Sequence, residues 1–370
     1  MEAKYSRSEF LRICAGAAAL SATGMTKVAS AAQVGKASHD FHLRAYDLRE
    51  FVHWINEEFE PSVRLVGRPK CYASHPGGTI AALYGVADMV CVLYTIGALA
   101  PSAGELAEWR DAFELFENPK TGWFREKNSD LAPEHNTAFA LAAMQLLNLS
   151  PRYKVKMGRE YSDIRGYLKS LDWRTNVYRE SHKGAGIGSI YTLVRDLRSP
   201  EWFDSYFSTC DGLFDANNGL MGQGKPAKGD IDQVGGTFHY SFLYRYFNRR
   251  MPYPEKRIDT VLRLQQADGY WSPTNHLWMT LDAIYLMTRT LRFCPHRLGD
   301  VQASVRKALD AVERDFYSPS GRKTSFAKDD AVHSLTAAIS IAAESQQFLG
   351  ADVVITDWPL KLVLDRRPFI

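Results

Sequence analysis

The chain has 370 residues, 45% of them hydrophobic and 24% charged, an ordinary globular composition with enough apolar content for a large core. A formal net charge of +3, with no Lys/Arg run and no basic aromatic array, excludes the footprint of a nucleic-acid binder. The five cysteines form no C-x-x-C pair, which argues against a zinc or redox motif and for buried free thiols.

In chain order, residues 1–32 read as an export signal. Lys4, Arg7 and Arg12 give a basic start, 13–25 ("ICAGAAALSATGM") is a weakly apolar run too short to span a bilayer as a mature helix, and 29–31 ("ASA") offers small residues for cleavage. The segment 6–12 ("SRSEFLR") resembles a twin-arginine signal but has Ser8 where the second Arg should stand, so the export route stays open. Residues 33–370 are then expected to form one exported domain, periplasmic or extracellular, with no membrane partner once the signal is removed.

Beyond the signal, two kinds of segment alternate. Visibly amphipathic runs at 45–59, 103–117, 156–171, 200–214, 254–266 and 301–316 read as surface helices, several opening on start residues: Pro101-Ser102, Ser199-Pro200 and Pro254. Between them lie six runs of apolar or small residues at 74–83, 134–147, 181–190, 238–247, 275–284 and 332–341, which read as helices buried on every side. Each has a histidine at its head: His75, His135, His182, His239, His276 and His333, at intervals of 60, 47, 57, 37 and 57. Such a repeat suits pairs of helices, one facing inward and one outward. The expected fold is all-α, a single-domain (α/α)6 toroid, with 352–364 as the one extended piece.

Turn motifs precede four of the buried runs: "NPKTGWF" (118–124), "DANNGLM" (215–221), "QQADGYW" (265–271) and "SPSGRKT" (318–324). Of these, "QQADGYW" resembles the Q-x-x-D-G-x-W signature of terpene cyclases, whose α/α toroid it implies here. Their acid motif D-x-D-D is only partly echoed by "DIDQ" (230–233), with Gln233 in place of the last Asp. In repeat layout the chain is also similar to the six-hairpin glycoside hydrolases and polysaccharide lyases.

In a toroid the starts of the inner helices gather at one mouth, and their partial positive charge favours an anionic ligand. Imidazoles, aromatic rings and carboxylates in one basin suit a sugar, whose C–H faces stack on rings and whose hydroxyls need partners. The expected partner is therefore a carbohydrate, preferably anionic and uronate-like. Elimination would use His135, Asn136, His182, His239 and Tyr240 to neutralise the carboxylate and remove a proton. Hydrolysis would instead pair Asp230 or Asp232 with Asp329 or Asp330, about 5 or 6.5–9.5 Å apart. Asp330, one turn before His333, is also placed to bond it. Candidate substrate contacts are His75, Trp123, Trp173, Trp271, His276, Trp278, His333 and Asp282, a carboxylate in an apolar run. Six histidines on opposite helices cannot share one ion, no H-E-x-x-H exists, and no metal or cofactor is assigned. Two other readings stay open: a terpene-cyclase or prenyltransferase-like enzyme, and a non-catalytic scaffold binding a glycan or peptide.

Overall fold

The computed structural model describes residues 44–126, 131–197, 199–224 and 229–366, so the expected export signal lies outside the described residues. Almost all regular structure is helical. In chain order we label α1 (Arg49–Trp54), α2 (Leu83–Thr95), α3 (Ala103–Glu114), α4 (Pro133–Leu146), α5 (Ile164–Ser170), α6 (Val177–Leu193), α7 (Pro200–Asp211), α8 (Asp230–Tyr246), α9 (Pro254–Leu264), α10 (His276–Leu291), α11 (Leu298–Val312) and α12 (Ala331–Leu349). Two short strands, β1 (Tyr46–Asp47) and β2 (Val354–Ile355), pair in parallel, so part of the 352–364 segment is extended as expected. No helix among the described residues is long and apolar enough to cross a membrane.

The two helix classes follow from side-chain patterning. In α11 the buried residues Val301, Ser304, Val305, Ala308, Leu309 and Val312 recur at three- and four-residue steps, leaving the charges outside. The even-numbered helices have no such outer face over most of their length: in α2 every residue from Leu83 to Val92 is buried, and in α4 every residue from Glu134 to Met144. α4 packs on α2 and α6, α6 on α8, α8 on α10, α10 on α12, and α12 back on α2. Helix starts are marked as expected. Ser102 and Glu105 form a reciprocal capping box on α3, and Ser199 caps α7 with Pro200 at the first helical position.

Four segments differ from expectation. The run 74–83, expected as a buried helix, is turn and loop, because Pro76, Gly77 and Gly78 break it and regular helix begins only at Leu83. The run 156–171 is α-helical only from Ile164, after a single 3₁₀ turn at Arg159–Tyr161, because Asp163 accepts from the Gly166 N–H at 3.0 Å and caps a new start. The polar, glycine-rich stretch 228–236 becomes regular helix from Asp230 onward, where its glycines serve packing rather than a loop. "SPSGRKT" is a short helix, Pro319–Ser325, capped by Ser318, whereas the other three motifs are turns with Gly122, Gly219 and Gly269 in the left-handed region. In the "QQADGYW" turn, Gln265 donates to the Gly269 and Ser304 carbonyls at 2.9 Å each, Asp268 accepts from the Tyr270 N–H, and the Trp271 indole donates to the Val261 carbonyl at 2.7 Å. The motif therefore fastens α9 to α11. Cys71, Cys91, Cys210 and Cys294 are free thiols, the first three buried.

Candidate functional site

A cavity of about 310 Å³ is lined by residues from five of the buried helices: His135 of α4, Tyr178, Arg179 and His182 of α6, Asp232 and His239 of α8, Trp278 of α10 and His333 of α12. A larger hollow of about 400 Å³, between α7 and the end of α8, is walled largely by Phe203, Phe207, Tyr246 and Phe247. Its lining includes Asp204 and Arg249 but no histidine, so the cavity with four histidines is the candidate chemical site.

The histidines arrive from different depths. His135 and His333 are each the third residue of their helix, but His182 is the sixth of α6 and His239 the tenth of α8. Glycine lets these helices approach closely enough for the rings to meet. A Cβ on Gly186 would stand 2.8 Å from the Glu134 backbone, and one on Gly235 would stand 2.4 Å from the Tyr178 ring. The ring centroids of His135 and His182 are 4.3 Å apart, those of His182 and His239 4.7 Å, and those of His135 and His239 6.0 Å. All three residues are buried, and one ring nitrogen from each lies within 4.8 Å of the other two.

Hydroxyl groups engage two of the rings. His135 Nδ1 lies 2.6 Å from the Tyr84 hydroxyl, which is also 3.2 Å from Asn136 Oδ1. His239 Nδ1 lies 2.8 Å from Ser181 Oγ, which donates to the Tyr178 carbonyl. A ring that carries its proton on Nδ1 lets each hydroxyl accept from it and still donate onward, to Asn136 and to the Tyr178 carbonyl. Burial first, and neighbouring imidazoles second, hold His135 and His239 well below the usual histidine range, so both stay neutral.

His333 forms a second unit. Its Nδ1 is 2.9 Å from Asp88 Oδ2, on a fully buried carboxylate of α2, and its ring packs against Trp278 at 4.2 Å and edge-on to Tyr84 at 5.0 Å. This partner is Asp88 rather than the expected Asp330, which occupies the left-handed cap position of α12 and is exposed. Asp88 was legible: it interrupts the apolar run of α2 just as Asp282 interrupts α10. Arg179 carries no such signal, because it falls in the polar opening turn of a helix that the sequence suggests begins only at 181.

The other expected residues lie elsewhere. His75 sits in a loop 3.8 Å from Asp329, and His276 stacks on Tyr270 at 4.3 Å. Tyr240 is buried against Trp173, because successive helix positions point about 100° apart and His239 takes the cavity side. Trp123, Trp173 and Trp271 donate their indole N–H groups to the carbonyls of Lys156, Leu168 and Val261, fastening loops and outer helices. Asp230 pairs with Arg263 at 2.7 Å, and Glu134 accepts from Tyr161 and Tyr167. Asn136 meets the site through the Tyr84 hydroxyl. Asp282 is fully enclosed one turn below Trp278, and burial pushes its carboxyl well above the usual range. Asp232 is thus the one carboxylate lining the cavity among the described residues. No family model and no curated protein matches this chain.

Proposed function

We propose that the paired helices close as an (α/α)6 toroid, and that the protein is an exported carbohydrate-active enzyme cleaving a uronate-type polysaccharide by elimination. The ring is supported by α2, which packs on both α4 and α12, and by the tyrosine, histidine, aspartate and tryptophan side chains that reach one region from the leading parts of all six buried helices. Export rests on the composition of residues 1–32.

The observation that carries the chemistry is the Asp88–His333 pair at the wall of a cavity that also presents Arg179, Trp278 and three buried imidazoles. A buried carboxylate orients the ring and stabilises the imidazolium, which leaves Nε2 as the base. Nε2 takes the proton α to the uronate carboxylate, the electron pair forms the new C=C bond, and the C4–O bond breaks. The imidazolium then returns its proton to the departing oxygen. Arg179 and the converging helix starts attract the substrate carboxylate, and Trp278 offers a face for the sugar ring. Two-carboxylate hydrolysis has weaker support, since Asp230 and Asp330 do not join Asp232 at the cavity. A terpene cyclase is disfavoured by a wall of imidazoles.

The test offers purified protein pectin, alginate, glucuronan and glycosaminoglycans and follows the ultraviolet absorbance of an unsaturated uronate. Appearance of that chromophore, abolished in His333→Ala, supports elimination. Reducing ends without the chromophore overturn it in favour of hydrolysis. Retained binding with neither signal returns the protein to the scaffold class.

A further inference from the structure

We propose that His135, His182 and His239 bind a divalent first-row transition cation, zinc being the best match, through one ring nitrogen each. This goes beyond the uronate reading and does not depend on which substrate enters the cavity.

The first argument is placement. Three helices each contribute one imidazole, and the nitrogen donors fall within 4.8 Å of one another. Zinc–nitrogen bonds of about 2.0–2.1 Å in a tetrahedral arrangement put the donors roughly 3.4 Å apart. Small side-chain rotations bridge that difference, with the helices already in contact through Gly186, Gly235 and Gly236.

The second argument is preorganisation. A metal-binding histidine presents a lone pair on one nitrogen and anchors the other through an N–H bond, which fixes the ring and raises its basicity. His135 and His239 both have this arrangement, through Tyr84 backed by Asn136 and through Ser181 backed by the Tyr178 carbonyl. Two independent hydroxyls thus engage the same nitrogen of each ring, Nδ1, so that a cation would take Nε2.

The third argument is donor chemistry. All-nitrogen donors select zinc, cobalt, nickel or copper over magnesium or calcium. The cavity on the open side leaves room for a water molecule or a substrate carboxylate as a further ligand, the pattern of catalytic three-ligand sites.

The experiment uses the full chain, stripped with EDTA, then titrated with zinc by calorimetry and with cobalt(II) by visible spectroscopy. One equivalent of zinc should bind, and cobalt should give the intense visible bands of a low-coordinate nitrogen site. His182→Ala should abolish both. Ser181→Ala, which keeps all three ligands and is the safer variant for folding, should weaken binding by about 10–100-fold. His276→Ala, outside the cavity, should match wild type. Absence of stoichiometric uptake by the wild-type protein, or uptake unchanged in His182→Ala, overturns the proposal. Metal binding without activity on any uronate polymer would remove the substrate reading and keep this one. Full activity in the EDTA-stripped protein with no uptake would do the reverse.

Discussion

A carboxylate inside an apolar helix has two fates in this protein. Asp88 is engaged by His333, so if the proposed elimination holds, Asp88→Asn should lower turnover by about 100-fold or more, with the loss in kcat rather than KM. Steady-state kinetics on whichever polymer is cleaved checks this; an unchanged kcat removes Asp88 from the catalytic unit. Asp282, by contrast, is buried with neither carboxylate oxygen hydrogen-bonded, and burial holds it protonated far above its ordinary range. Below about pH 4 the folded and unfolded chains both keep that proton, so no penalty arises. Above it the unfolded chain ionises first, and stability falls by up to about 1.4 kcal/mol per pH unit until the folded group also ionises. Asp282→Asn abolishes this slope and should gain on wild type steadily as pH rises from 4 to 8. Parallel stability curves from denaturant melts would show instead that Asp282 is ionised and solvated. Both carboxylates stand out in the sequence as lone acids in apolar runs, but which of them meets a histidine depends on a helix more than 240 residues away.

Helices α4, α6 and α8 show how glycine spacing sets what side chains can do. Gly186 faces the Glu134 backbone, which cannot rotate away, so Gly186→Ala should destabilise the protein by about 1–3 kcal/mol and separate His135 from His182. Gly104 near the start of α3 is the contrast: an added Cβ there meets only Ser102 Oγ at 4.0 Å. Gly104→Ala should be neutral or stabilising by up to about 1 kcal/mol, since alanine is the better helix former. Urea unfolding of the two variants measures the difference; similar losses in both would mean that helix contact is not what Gly186 serves. The glycines of 184–188 and 235–236 are also where sequence reading falters. A run such as "KGDIDQVGG" has the composition of a loop, and nothing local distinguishes glycine that breaks a helix from glycine that lets two helices touch. Local composition therefore sets the beginning of α8 too late and makes His239 look like a residue at a helix entrance. It lies nearly three turns inside.

At the far ends of the buried helices an ion network ties the molecule together. Arg289 near the end of α10 donates to both oxygens of Glu344 in α12 at 2.6 Å and to Asp365 at 2.9 Å, and Arg245 at the end of α8 and Arg292 just beyond α10 also reach Asp365. β1 and β2 add a second tie between the two ends of the described chain. Arg289→Met should cost about 3–5 kcal/mol, because Glu344 is left buried without its partner and must either stay charged or take up a proton. Thermal or denaturant melting tests this, while metal uptake at the opposite helix ends should be unchanged at temperatures where the variant is folded. A loss below 1 kcal/mol would indicate that Glu344 is accommodated without its partner.

Helical class, the alternation of buried and amphipathic elements and the positions of most outer helices are all readable along the chain, because each is a local pattern of apolar spacing and start residues. The grouping of the histidines is not. Six look equivalent in sequence, yet four line the cavity, one stacks on Tyr270 and one sits in a loop beside Asp329. Which ring faces the cavity depends on the rotation of each helix about its own axis. That rotation is fixed by contacts such as Gly186 against Glu134 and Gly235 against Tyr178, between residues far apart in the chain. A one-residue change of position turns a side chain by about 100°, enough to separate His239 in the cavity from Tyr240 in the core.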